Sequence, residues 1–125
     1  MTGHPIRLAR AALAALLVAL ASVPAQAQDY PRRQITIVVP YPAGSGTDQV
    51  ARLIAQDLSR DYKVPVVIDN KPGGNGFIGA NQVAKAAPDG YTVLMAGSTS
   101  HAANVYMYKS LPYDPVKDFT PVTLV

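Results

Sequence analysis

Three times along the chain a short apolar run breaks into small, polar, turn-forming residues, and a segment with helical spacing follows. This recurrence constrains the fold more than any single motif does. The first instance is the clearest. Ile35-Thr36-Ile37-Val38-Val39 is β-branched and closes at Pro40. It is too short for a helix, and its lack of alternation suits a strand buried on both faces. Pro40 and Pro42 cannot donate backbone hydrogen bonds, so the strand stops there. Ser45-x-x-Asp48 then opens a helix, with Asp48 favoured in the first turn by the helix dipole. Val50, Leu53, Ile54 and Leu58 recur at helical spacing and predict its inner stripe, with an end near Asp61.

The second instance places a strand over residues 64–69, where Pro65 is tolerable at a strand start or edge. The turn Asn70-Lys71-Pro72-Gly73-Gly74-Asn75-Gly76 follows. A helix over 77–87 is then predicted, capped by Asn75, with Ala80, Val83, Ala84 and Ala87 inside. The third instance is a strand over 91–96, the corner Gly97-Ser98-Thr99-Ser100-His101 and a shorter helix over about 102–108. A Pro-rich connection over 111–119 leads to residues 120–125, which read as a fourth strand. The order β-α-β-α-β-α-β with right-handed crossovers gives a parallel sheet between two helical layers. In such sheets ligands bind beyond the carboxyl ends of the strands. The loops 43–47, 73–76 and 97–101 all follow a strand and precede a helix, so they share one edge. A helix start offers unpartnered N–H groups and the positive end of the dipole, and so holds an anion without Arg or Lys.

The N-terminus has a different character. Arg7 and Arg10 precede an almost unbroken run of Ala, Leu and Val over 11–23, and Ala25-Gln26-Ala27 follows. A basic region, an apolar region and a small-residue cut site form an export signal. Its 13 residues fall short of the roughly 20 that span a bilayer. Cleavage is expected after Ala27, giving a signal peptide over 1–27 and a mature chain from Gln28. Without Arg7 and Arg10, nine basic residues face eight acidic ones, a net charge of +1. No Lys/Arg cluster remains beyond Arg32-Arg33, which argues against nucleic acid as a partner. The absence of cysteine excludes disulfides, thiolate metal sites, a Cys nucleophile and a lipid-anchored Cys. An exported chain of this kind is most simply periplasmic or secreted.

Gly44-Ser45-Gly46-Thr47 is not a P-loop, since no Lys follows Gly46, and Ala43 and Thr47 rule out a G-x-S-x-G elbow. Gly74-Asn75-Gly76-Phe77-Ile78-Gly79 matches G-x-G-x-x-G. However, the next strand ends Met95-Ala96-Gly97-Ser98, without the acid that a dinucleotide's ribose needs. No cofactor is implied. One His in the mature chain and scattered Asp give no metal-ligand spacing. Tyr106, Tyr108 and Tyr113 read as packing residues with wet tips, and Lys71 as a solvated loop residue. Ser98 or Ser100 with His101 leaves a rival reading, an exported α/β hydrolase. Adjacent Ser100-His101 does not by itself supply a triad, and hydroxyls capping the third helix are the simpler account.

Several segments together carry a resemblance. They are Tyr30-Pro31, Val39-Pro40-Tyr41-Pro42-Ala43-Gly44-Ser45-Gly46-Thr47-Asp48 and Asp69-Asn70-Lys71-Pro72-Gly73-Gly74-Asn75-Gly76. Ala86-Ala87-Pro88-Asp89-Gly90-Tyr91-Thr92 and the stretch from Leu111-Pro112-Tyr113-Asp114-Pro115 to Pro121-Val122 belong with them. The chain resembles the substrate-binding proteins of tripartite tricarboxylate transporters, the Bug family of extracytoplasmic solute receptors. That resemblance implies a two-lobed periplasmic-binding-protein fold, a Venus flytrap of type II-like architecture. It implies a receptor rather than an enzyme, one that takes up small organic acids (di- and tricarboxylates, aromatic acids, some amino acids) and delivers them to the permease subunits of the transporter. The ligand carboxylate would then be held by Ala43, Gly44, Ser45, Gly46 and Thr47 with Gly74, Asn75 and Gly76. Ser98, Thr99, Ser100 and Asn104 would add polar contacts. Asp48 would brace the loop, since like charges repel. Family loops often carry Gly where Ser45 stands, and family members are much longer. Residues 28–125 are therefore expected to form part of a first lobe, without its opposing jaw.

Overall fold

The structure, a computed structural model, describes residues 30–125; the export signal and its cut after Ala27 lie outside them. Its centre is strand β1, Ile35–Val39, with β2 (Val66–Asn70) on one side and β3 (Thr92–Leu94) on the other. Both pairings are parallel. Ile35 faces Val66 and Val39 faces Asn70 on one side, and Thr36 faces Thr92 on the other. The central place explains the unbroken apolar run: Val38 and Val39 are wholly buried although their side chains point to opposite faces.

Helix α1, Gly46–Tyr62, links β1 to β2, and α2, Phe77–Ala84, leads from β2 across β1 to β3. The winding direction reverses between these two crossovers, so right-handedness puts the helices on opposite faces. On one face Ile37 and Val39 pack with Ala51 and Ala55 of α1. On the other, α2 crosses β1 and β3. There Gly79 permits close approach, since a Cβ on it would lie 3.2 Å from Pro40 Cα. A π-helical turn over Thr99–Ala103 runs into a single α turn, α3, Asn104–Met107. No described helix is long and apolar enough to cross a membrane.

Several elements depart from expectation. The inner face of α1 is Asp48, Ala51 and Ala55, whereas Val50 and Leu53 are exposed and Ile54 and Leu58 only half-buried. Alanine brings the helix close to the sheet, and the larger residues are left at its flanks. Strand β2 starts two residues late because the Pro65 carbonyl accepts from the Ile35 N–H while Pro65 has no N–H to return. Strand β3 is shorter than the predicted 91–96 and α2 shorter than 77–87, and the inner residues of α2 are Gly79 and Ala80. Asn75 does not cap α2. It sits at φ 51°, and its side chain points to the Tyr108 hydroxyl, 3.3 Å away. Residues 120–125 form no strand. They have no neighbouring strand among the described residues, and strand backbone without a neighbour leaves its polar groups to water.

Candidate functional site

The three strand-to-helix corners do come to one edge, and Gly76 is where they meet. A Cβ on Gly76 would sit 3.3 Å from Pro40 Cβ at the first corner and 3.6 Å from Ser100 Cβ at the third. The second and third corners are also bonded. The Asn104 side-chain amide donates to the Asn75 carbonyl at 3.1 Å, and its buried Oδ1 has no hydrogen-bond partner.

The first corner is built around Asp48. Its side chain is 1% exposed. Oδ2 accepts from the Gly44 N–H at 2.8 Å and from Arg52 Nε at 2.9 Å, and Oδ1 accepts from the Asn70 amide at 2.8 Å. These donors, Arg52 first, hold the carboxyl down at about 2. Ser45 is the N-cap, with its hydroxyl accepting from the Asp48 N–H at 3.3 Å. The amides of Gly46 and Thr47 come before any carbonyl the helix can offer them. No hydrogen bond to another described residue claims them. A Cβ on Gly44 or Gly46 would meet nothing within 4 Å, so the tip of this corner faces open space. A 17-residue helix stands behind it and delivers its dipole there.

Not every predicted N–H is free. That of Gly44 is taken by Asp48, and that of Gly76 by the Gly73 carbonyl at 2.9 Å. Ala43 is exposed, and so are Asn75 and Ser98; Ser45, Thr47, Gly74 and Thr99 are half-buried; Gly76, Ser100 and Asn104 are buried. Lys71 is ion-paired to Asp69 at 3.2 Å.

The third corner is closed at Ser100. Ser100 is fully buried, with its hydroxyl 3.0 Å from the Gly97 carbonyl and 3.1 Å from His101 Nδ1. Its own carbonyl accepts from the Tyr113 hydroxyl. The His101 ring lies edge-on to Phe119, 4.7 Å between centroids, and Tyr113 packs on the same Phe119. Burial pushes the imidazole below its ordinary pKa. A hydrolase needs a reachable nucleophile and a base steadied by a third polar group. Here the hydroxyl is enclosed and the base faces an aromatic ring. An open groove of about 850 Å³ runs between α3 and residues 109–116, and it shares only His101 with the corner. Among the described residues, no three His, Cys, Asp or Glu are grouped to hold a metal ion.

Reasoning from the sequence missed Asn70, Arg52 and Tyr41; it read Tyr113 as a packing residue with a wet tip, whereas the buried Tyr113 hydroxyl is bonded to the Ser100 carbonyl. Asp48 and Arg52 stand at i, i+4, a helical ion-pair spacing, so that pair had a local signal. Asn70 had none, because its partners are 18, 22 and 29 residues away.

Comparison with known proteins adds an independent finding. The model of a family described as tripartite tricarboxylate transporter family receptor matches residues 50–125. Protein BugT of Bordetella pertussis is 38% identical over 117 residues, covering 91% of this chain and 36% of its own length. A solved structure, Rpa4515 of R. palustris with adipate, is 49% identical with a TM-score of 0.73 over 75% of this chain and 31% of that one. MatC of Rhodopseudomonas palustris with bound malate is 44% identical with a TM-score of 0.69, covering 74% and 32%. The chain thus spans about a third of the length of the curated relatives it matches.

Proposed function

Because this chain belongs to the tripartite tricarboxylate transporter family of receptors, we propose that the whole protein is a periplasmic receptor for a small organic carboxylate. It hands its ligand to the membrane permease of a transporter of that type. The family is one of receptors rather than enzymes. In this reading the export signal is cut after Ala27, and residues 28–125 belong to the first of two lobes. A second lobe supplies the opposing wall of the cleft.

The observation that carries the reading is the pair of unclaimed amides, Gly46 and Thr47, at the start of α1. They lie at the exposed tip of the corner, on the edge where ligands of parallel sheets bind. Two carboxylate oxygens can accept from two such amides, and the helix dipole adds to the attraction. Two solved relatives with adipate and malate support a dicarboxylate as the ligand class. Gly44 and Ser45 shape the tip, Ala43 lies beside it, and Asp48 braces it from below. Gly74, Asn75 and Gly76 form the adjoining wall. Ser98, Thr99, Ser100 and Asn104 flank that wall, with exposed Ser98 the nearest to solvent.

Gly46→Pro tests this directly. Gly46 is the first helical residue, where Pro is favoured, and Ser45 before it is extended at φ −65° and ψ 160°, as a residue preceding Pro must be. The substitution deletes one N–H and leaves the helix intact. A hydrogen bond to a charged group is worth about 1.5–3 kcal/mol, so affinity for adipate or malate should fall roughly 10- to 100-fold with thermal stability unchanged. Calorimetry on the whole protein measures it. Unchanged affinity would rule out these amides as the anion site.

A further inference from the structure

Asn70 ends β2 and begins the second corner, yet its side chain reaches back into the first. Its amide nitrogen lies 2.8 Å from Asp48 Oδ1 and 3.2 Å from the Tyr41 carbonyl, and its Oδ1 accepts from Arg52 at 3.2 Å. Asp48 in turn holds the Gly44 N–H. One chain of hydrogen bonds therefore runs from the tip of the first corner, through Asp48, to the residue that launches the second. The backbone continues it: the Lys71 N–H donates to the Val39 carbonyl at 2.8 Å, fixing where residues 71–76 leave the sheet. We propose that Asn70 is a positioning residue that sets the spacing of the two ligand-facing corners.

The chemistry at this point asks for an amide. Tyr41 and Asp48 both present acceptors, and Arg52 presents a donor on the other side. Asp in place of Asn70 would turn a carboxylate toward a carboxylate and a carbonyl. Leu would offer none of the three a partner. Asn alone at this length donates on one side and accepts on the other. The effect on ligand affinity rests on the function proposed above, but the effect on loop order does not.

The test uses the whole protein without ligand, read by amide hydrogen exchange at Gly44, and then calorimetry with malate and with adipate. In Asn70→Asp the Gly44 amide should exchange about tenfold faster or more, the scale on which a charge-assisted hydrogen bond shifts an equilibrium. Affinity should fall with it. The swap Asp48→Asn with Asn70→Asp restores a donor facing an acceptor across the same contact and should recover part of the protection. Asn70→Ser supplies the same reading if Asn70→Asp does not fold. Unchanged Gly44 exchange in both single variants overturns the proposal, and so does a swap that recovers nothing, since the loss would then be one of packing. If the unaltered protein binds neither acid, the ligand reading fails on its own, and the exchange data still decide the role of Asn70.

Discussion

The first and third corners are written in similar residues and built to opposite ends. Each follows a strand, carries Gly and small hydroxyl residues, and leads into a helix. At the first, the capping hydroxyl of Ser45 and the carboxylate of Asp48 are spent on holding the turn, and the amides of Gly46 and Thr47 are left over. At the third, the Ser100 hydroxyl folds back on Gly97, the Ser100 carbonyl takes Tyr113, and aromatic rings seal the outside. The helices behind them differ as well, 17 residues against a π turn and four. In the proposed function, a corner serves as an anion site when side chains brace it from below and a long helix stands behind it. Without these, the same residue types make a plug that supports its neighbour.

The strongest way to break this contrast is to strike the second-corner residue that touches both. Gly76 lies at φ 86°, against Pro40 on one side and Ser100 on the other. Gly76→Val puts a β-branched residue in the left-handed region, which costs on the order of 3 kcal/mol. Both corners should loosen together, visible as a lowered denaturation midpoint with an unchanged denaturant slope. Tyr113→Phe is more selective. It removes the hydroxyl that donates to the buried Ser100 carbonyl, at a cost of roughly 0.5–1.5 kcal/mol. Exchange should quicken at the third corner while the Gly44 amide keeps its protection. Equal loosening of both would show that the plug and the site are one unit.

Ser45→Ala strikes the other side of the comparison. Loss of an N-cap hydroxyl costs about 1 kcal/mol. Here it should fray only the start of α1, read by exchange at Asp48 and Gln49 against an unmoved Ser100.

How far the sequence alone revealed this contrast follows from the reach of each interaction. Ile35–Val39 is legible because a central strand buried on both faces needs an unbroken apolar run. Ser45 and Asp48 are legible because capping is local. Val50 and Leu53 mislead because helical spacing marks an apolar stripe, while close packing on a sheet selects the smaller Ala51 and Ala55 beside it. Asn75 misleads because its left-handed backbone turns the side chain away from α2. Nothing local separates the open first corner from the closed third. That difference comes from Asn70, 22 residues beyond Asp48, and from Tyr113, 13 beyond Ser100. The missing strand at 120–125 is of the same kind, since a strand is decided by what lies next to it.

The smallest effect is the one that separates the corners by pH. Asp48 has its carboxyl lowered to about 2 by Arg52, the Gly44 N–H and Asn70, so its bonds are complete above the ordinary carboxylate value of 3.8. They are lost only as pH falls through about 2. His101 is lowered by burial, so the folded chain favours its neutral ring. Its contribution is complete above the ordinary value of 6.5 and is lost as pH falls through the lower folded value, because the unfolded chain binds the proton first. Amide shifts followed from pH 8 to pH 2.5 should therefore move first at Ser100 and His101, with Gly44 still until below pH 4. A common midpoint at both corners would mean that the third corner's aromatic seal controls the first as well, and the division between site and plug would fail.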